Sequence, residues 1–487
     1  MPSPPSQAVL DRLEALLGPK GFTADPAEMA PWLTDWRGRY RGAAAALLSP
    51  SVPAEVSEIV GLCADEGVAI VPQGGNSSMV GGATPDATGS ALLLSLRRMN
   101  RIRSLDPDAN IAVCEAGVVL ETLQDAALAR GRRFPLTLGA KGSATIGGLV
   151  STNAGGTQVL RFGTMRGLVA GIEAVLPDGS VLDGLAALKK DNRGYDPKHL
   201  LIGAEGTLGI ITAASLKLVP AAAGRAVAWV GVESPAAALA LLRHCETGLS
   251  DAVEGFELVP RSALDLVLRH IPGARAPLAD AQPWNVLVEA AGEDPEPKLS
   301  AALAQALERG LAADAAVAAS EAQAEALWRL RDSISEAERK DGPAAKHDIS
   351  VAVAAMPRFM TEAAAAVEAR FPGTRVNAFG HLGDGNIHFN VRAPESAGDS
   401  WLEETGGAVT AFVHDLVTAA EGSISAEHGI GQMKRAEFAR LGDPARLGAM
   451  RAIKQALDPK GIMNPGKLVP PEDLPLSGSL AESGFPQ

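Results

Sequence analysis

His381 and His388 sit seven residues apart in the segment Phe379-Gly380-His381-Leu382-Gly383-Asp384-Gly385-Asn386-Ile387-His388-Phe389-Asn390. Asp384-Gly385 is a strong signal for a two-residue hairpin turn. Pairing outward from it sets Gly383 against Asn386, Leu382 against Ile387 and His381 directly against His388. Residues directly opposite share a face, with Cβ atoms about 4.5–5.5 Å apart. Two imidazoles placed this way can grip one metal ion, and imidazole suits zinc, iron, nickel or copper. Asn390, two residues further on, belongs to the same face. A third ligand must come from elsewhere. Ser423-Ile424-Ser425-Ala426-Glu427-His428-Gly429-Ile430-Gly431 offers a carboxylate and another imidazole beside a glycine-rich turn.

A second kind of chemistry is suggested by Pro72-Gln73-Gly74-Gly75-Asn76-Ser77-Ser78-Met79-Val80-Gly81-Gly82, which follows a short apolar strand at 68–71. A backbone approaches a pyrophosphate closely only where side chains are absent, and the free N–H groups of such a turn point at the anion. No Gly-Lys-Ser/Thr occurs in the loop, so it is not a Walker loop, and no GxGxxG opens a helix after a strand. That argues against a Rossmann nucleotide site. A third candidate lies on a helix expected over 320–341, where Arg331 and Ser335 fall four residues apart on one face. Lys346 follows where the next strand, expected over 348–354, is about to begin. A guanidinium fork with an ammonium beside it is a sensible trap for a carboxylate.

The 487 residues allow two to four domains. Hydrophobic residues make up 46% and aromatic ones only 4%, so the cores must rely on Ala, Val, Leu and Ile. The net charge of −13 suits neither DNA nor anionic membranes. An anionic substrate would have to be met by a few local cations. Cys63, Cys114 and Cys245 are far apart and form no CxxC pair, so they are expected to be buried small hydrophobes. No basic stretch leads into an apolar one at the N-terminus, and no apolar run is long enough to span a bilayer. The resulting expectation is a cytoplasmic protein that is not transmembrane and binds no nucleic acid.

The elements that must position these residues follow an α+β pattern. A helix is expected over 52–66, with Pro53 at its first position and Gly67 as its stop. Strands at 91–96 and 111–115 and a helix at 119–130 come next. Glycine is dense from 134 to 212, with β-rich runs at 172–176 and 210–219. Ala221–Gly224 marks a composition change. Beyond it, strands at 226–232 and 284–290 alternate with Ala-rich helices at 235–247, 298–312 and 357–370. The tail after about 470 is expected to be loose.

Four ordered stretches resemble the vanillyl-alcohol-oxidase-type FAD-binding fold. They are the 72–82 loop, Pro135-Leu136-Thr137-Leu138-Gly139-Ala140-Lys141-Gly142-Ser143-Ala144-Thr145-Ile146-Gly147-Gly148, Thr152-Asn153-Ala154-Gly155-Gly156, and Gly203-Ala204-Glu205-Gly206-Thr207-Leu208-Gly209-Ile210-Ile211-Thr212. Lys190-Asp191-Asn192-Arg193-Gly194-Tyr195-Asp196 is similar to the D-2-hydroxyglutarate and D-lactate dehydrogenase branch, and the likeness runs on to Asn464-Pro465-Gly466-Lys467. The resemblance implies an FAD-binding domain over 1–220, an α+β substrate and metal-binding cap over 221–430, and a segment at 431–487 that returns to the FAD domain. It implies FAD contacts from Gln73, Gly74, Gly75, Asn76, Ser77, Gly81, Gly82, Pro135, Gly139, Gly142, Ser143, Thr145, Gly148, Asn153, Gly155, Gly156, Glu205, Gly206, Gly209, Ile210 and Asn464. Some members link FAD through a histidine in the first loop; Asn76 and Ser77 stand there, so a non-covalent FAD is expected.

The same resemblance implies His381, His388 and Glu427 as ligands of a divalent metal, zinc ahead of manganese or cobalt, with His428 as general base. Arg331, Ser335, Lys346 and Asn390 would hold the substrate. The expected reaction is oxidation of a D-2-hydroxy acid, D-2-hydroxyglutarate first and D-malate next. His428 would take the hydroxyl proton and the C2 hydride would pass to the flavin. Electrons would then leave to an acceptor of unknown identity, with an electron-transfer flavoprotein or a quinone as candidates. The alternatives are D-lactate or glycolate dehydrogenation, or a flavin-binding subunit of a larger complex. A homodimer is one assembly the sequence allows.

Overall fold

The computed structural model describes residues 3–398 and 400–471. The tail expected to be loose lies, from 472 onward, outside the described residues.

Among the described residues the N-terminal half holds two main sheets and a two-stranded pair, Arg132–Arg133 with Val219–Pro220. Helix Pro53–Glu66 starts on Pro53 and ends where Gly67 turns left-handed (φ 69°) and donates its N–H to Cys63 O. Its buried stripe of Val56, Ile59, Val60 and Cys63 packs on a short sheet. In that sheet Ala46–Leu48, Leu92–Ser95 and Ile70–Gln73 run parallel. Parallel strands are covered on both faces, which is why Leu92-Leu93-Leu94 reads as an unbroken apolar run. Five antiparallel strands form the second sheet, in the order Ile102–Asp106, Ile111–Glu115, Ile210–Lys217, Val169–Val175, Val181–Gly184. Near the C-terminus the chain comes back: Ile462 O accepts the Ile70 N–H, and Ile462 and Met463 join the core of the first sheet. All three cysteines are free and buried, and burial pushes each thiol up to about 12.

The second half is built on one seven-stranded antiparallel sheet. Its order is Asp314–Val317, Gly224–Val232, Trp284–Gly292, Val253–Pro260, Arg375–His381, Asn386–Arg392, Ala344–Ser350. Strand parity separates its chemistry. Ile387, Phe389, Val391, Ala378, Leu258 and Ile349 point into an apolar core under the helices Pro235–Leu249, Pro295–Glu308, Met356–Arg370 and Gly406–Ala419. The alternate residues point the other way. They carry Glu257, Asn377, His381, Asn386, His388, Asn390, Lys346 and Asp348.

Three expectations need correction. The hairpin loop has four residues, Leu382–Gly385, not two, so His381 pairs with Asn386 and His388 with Phe379. Leu382 is fully buried and donates its N–H to Phe256 O of the neighbouring strand, which removes it from the hairpin ladder. The slip in register is an even one, so both histidines keep a common face. The helix expected over 320–341 is two helices, Glu321–Asp332 and Ile334–Asp341. They join at Ser333, whose ψ of −6° breaks the regular path. Arg331 and Ser335 therefore do not share one helix face. Lys346 lies inside its strand, which runs Ala344–Ser350 rather than 348–354.

Candidate active site

A cleft of about 740 Å³ runs along the first half. Of the residues expected to hold FAD, Gln73, Gly74, Gly75, Asn76, Ser77, Gly82, Gly139, Ser143, Thr145, Gly148, Gly155, Glu205, Gly206, Gly209 and Ile210 line it. Gly75 is forced to be glycine, because a Cβ there would stand 1.8 Å from Ser143 O. Gly155 faces the other half, where a Cβ would stand 3.0 Å from Glu427 Oε1. Gln73 Oε1 and Thr145 Oγ1 are buried without a hydrogen-bond partner among the described residues. A main-chain cradle with idle polar atoms on its wall fits a dinucleotide.

Gly81, Pro135, Gly142, Asn153, Gly156 and Asn464 do not line the cleft. Several of them shape it instead. Asn464 Nδ2 donates to Gly82 O at 3.0 Å and Glu205 O at 2.7 Å, tying two cleft loops together. Asn153 Oδ1 accepts the Arg166 N–H from its left-handed cap position. The Glu205 carboxylate accepts the N–H groups of Ile430 and Gly431, both at 2.8 Å, so it fastens the Glu427-His428 loop to the flavin half. Sequence reasoning missed Trp36, Met79, Leu138 and Ser151 on the cleft wall.

On the cap sheet His381, His388 and Glu427 converge, each offering a ligand atom within 4.8 Å of the others. His381 Nδ1 is held by Glu257 Oε1 at 2.5 Å, which turns Nε2 outward. The other oxygen of Glu257 accepts Arg331 Nε at 2.7 Å. Burial opposes ionisation of Glu257, yet His381 and Arg331 hold its pKa down at about 2. Burial also works against the His381 imidazolium, but Glu257 lifts it to about 9. His388 is pushed well down by burial and stays neutral, whereas His381 would have to give up its proton to ligate a metal. Glu427 is raised by burial to about 7, and its Oε1 has no hydrogen-bond partner among the described residues. Two ring nitrogens and an idle carboxylate oxygen fit a divalent metal with open positions.

His428 stands beside them, its ring stacked 6.5 Å from that of His388. Asp348 positions it. The Asp348 carboxylate accepts the N–H groups of Glu427 (3.0 Å) and His428 (2.9 Å) and lies 3.4 Å from His428 Nδ1. Burial lowers the His428 pKa, while Asp348 pulls it upward. Next to His428 is a cavity of about 110 Å³ lined by Ser335, Lys346, Asn390 and His388, with Arg37 and Arg39 across from them. It meets the cleft at Met79, Val80, Ser335 and His428. The buried carboxylate of Glu338 accepts from Asn377 and Asn390 (both 2.7 Å) and Lys346 (3.3 Å), so it aims the cavity wall. Arg331 sits behind that wall. It is stacked over Phe379 and tied to Glu257, with Nη2 buried and unpaired.

Glu257, Glu338 and Arg37 were not singled out from sequence. Asp348 had a signal that went unused: two residues after Lys346 on one strand, it had to share Lys346's face.

The chain matches the FAD binding domain family over residues 44–184 and the FAD linked oxidases, C-terminal domain family over residues 222–468. It is 40% identical to the D-2-hydroxyglutarate dehydrogenase, mitochondrial, of Bos taurus, over 93% of this chain and 82% of that protein. Identity to the Arabidopsis thaliana protein of the same name is 38%, over 93% of this chain and 80% of that one. A putative mitochondrial D-lactate dehydrogenase of Schizosaccharomyces pombe is 35% identical over 92% of this chain and 86% of its own length. This chain belongs to the family of FAD-dependent D-2-hydroxyacid dehydrogenases. The enzyme superposes on p-cresol methylhydroxylase with substrate bound at a TM-score of 0.70 and 15% identity, covering 96% of this chain and 99% of that one. That likeness shows the vanillyl-alcohol-oxidase-type fold. The expected cytoplasmic location does not stand, because the bovine, Arabidopsis and fission-yeast relatives are all named mitochondrial. No helix among the described residues is long and apolar enough to cross a membrane.

Proposed function

We propose that the enzyme oxidises D-2-hydroxyglutarate, with D-malate as a weaker substrate, using a divalent metal, zinc foremost, and non-covalent FAD. One observation carries this reading: a single sheet face presents His381, His388, Asn390 and Lys346, and the Glu427-His428 loop brings Glu427 to the two histidines. His388 and Asn390 are two residues apart on one strand, about 6.7 Å. A short diacid reaches from one to the other, whereas D-lactate ends before the Lys346 side. Two of the relatives carry the name of D-2-hydroxyglutarate dehydrogenase, which supports the choice of diacid.

FAD would supply a two-electron sink when bound in the cleft, and a metal held by His381, His388 and Glu427 would supply Lewis acidity to the hydroxyl oxygen. The residues do the rest. Glu257 fixes the ring of His381, and Asp348 fixes that of His428. With Nδ1 turned toward Asp348, His428 receives the substrate's hydroxyl proton on Nε2. Ser335, Lys346 and Asn390 hold the remote carboxylate, with Arg331 Nη2 behind them.

A panel of D-2-hydroxyglutarate, D-malate, D-lactate and glycolate with an artificial electron acceptor tests this, run before and after chelation and again after metal is restored. Preference for D-2-hydroxyglutarate and loss of activity on chelation are expected. Preference for D-lactate defeats the substrate, and full activity without metal defeats the metal. Flavin that stays with the denatured, precipitated chain defeats non-covalent binding.

A further inference from the structure

The cavity beside His428 has a wall that does not come from the cap. Arg37 reaches it from the loop between Leu33 and Gly42 in the flavin half. That loop is pinned by Asp35, whose carboxylate accepts the N–H groups of Tyr40 (2.6 Å) and Arg37 (3.4 Å), and by the bridge between Thr34 and Arg41. The guanidinium of Arg37 stacks on Trp36, 5.1 Å from the ring centroid, and Trp36 lines the flavin cleft. Arg37 thus stands where the two cavities meet.

The cations in and behind the cap side of the cavity are already occupied, Lys434 by the carbonyl oxygens of Asp348 and Ile424. Arg331 is paired with Glu257, and Lys346 leans on Glu338. Arg37 is half-buried, no carboxylate among the described residues pairs with it, and its Nε is buried without a hydrogen-bond partner. Burial and the neighbouring Arg39 lower its pKa, and its charge is felt at His428. The nearby Asp35 carboxylate favours the charge but is taken up by the N–H groups of its own loop and forms no ion pair with the guanidinium, so this partly desolvated cation facing a cavity gains most from an entering anion.

We propose that Arg37 is a specificity-determining residue that binds the substrate carboxylate remote from the reacting carbon, opposite Lys346. This rests on the diacid reading above. The diacid then bridges flavin half and cap, and a monocarboxylate leaves Arg37 unpaired.

Arg37→Met and Arg37→Lys test it, with D-2-hydroxyglutarate and D-lactate compared for the wild type and both variants. Flavin absorbance and melting temperature verify that each variant is folded and loaded. Arg37→Met is expected to cut kcat/KM for the diacid by roughly ten- to a hundred-fold, mainly through KM. D-lactate turnover falls far less, and Arg37→Lys recovers part of the loss. The dissociation constant of glutarate, read from perturbation of the flavin spectrum, rises by a similar factor. Equal losses for both acids, or no loss for either, overturn the proposal. A failure of the diacid reading is separate: it appears in the wild type alone, as a preference for D-lactate.

Discussion

Around the flavin cleft the wall is rich in glycine, with Gly74, Gly75, Gly82, Gly139, Gly148, Gly155, Gly206 and Gly209 along it. Around the cavity beside His428 the wall carries ionisable side chains: Arg37, Lys346, Asp348, His388, His428 and Lys434. The first site binds by shape and by N–H groups that any sequence could offer, provided side chains keep out of the way. The second binds by groups that must be ionised or neutral in the right combination. Three buried carboxylates set those states: Glu257 for His381, Asp348 for His428, and Glu338 for Lys346 and Asn390. Backbone sites therefore fail by obstruction, and side-chain sites by losing a charge or an orientation.

That contrast can be broken first at His388. His388→Ala removes one of the proposed metal ligands, and turnover should fall by roughly 10³-fold or more, as when a principal source of electrostatic stabilisation is lost. The protein should stay yellow, with an unchanged ratio of flavin to protein absorbance. Loss of flavin as well would show that the two sites do not fail independently. The converse is Gly75→Val. Its Cβ would overlap Ser143 O, so the purified protein should be colourless, while chelator competition should still detect metal bound to the cap.

A smaller effect is expected at Asp348. Asp348→Asn keeps the shape and removes the charge that orients His428 and holds the Glu427-His428 backbone. Supporting groups of this kind are typically worth about 10–100-fold. The expected signature is a fall in kcat of that size with KM little changed and flavin content intact. An equal rise in KM would point to substrate binding instead.

The seam between the two regions should respond least in kcat and most in stability. Glu254, a buried cap carboxylate, accepts from Arg133 and Arg161 of the flavin half, with Gln158 alongside at 3.1 Å. Glu254→Ala strands two partly buried guanidinium groups. The full cost of breaking a buried pair is about 3–5 kcal/mol, and the partial exposure of both arginines reduces it to about 2–3 kcal/mol. A lower melting temperature with near-normal kcat in the folded fraction is the expected outcome, measured by thermal unfolding and by assay at low temperature.

Much of this was already readable in the chain. The glycine loops are contiguous, and what they need, absence of a side chain, is visible in the letters themselves. Parity along strands was equally readable: His381, His388 and Asn390 share a face whether the hairpin loop has two residues or four, because only an odd slip would part them. Local signals also sufficed for Pro53 and Gly67 at the ends of one helix. What the letters could not supply were partners from distant strands. Glu257 is 124 residues from His381 and reaches it only because the 253–260 strand docks beside the hairpin. The exact loop length followed from Leu382 finding Phe256 across the sheet, and the break at Ser333 falls where no glycine or proline announces it. Arg37 joined the site from more than 300 residues away in sequence, across the junction of the two halves. Sequence determines which groups are available and which of them share a face, because those depend on neighbours a few residues off. Only the tertiary structure decides which charges meet, because pairing energy depends on distance in space and on how much water has been removed.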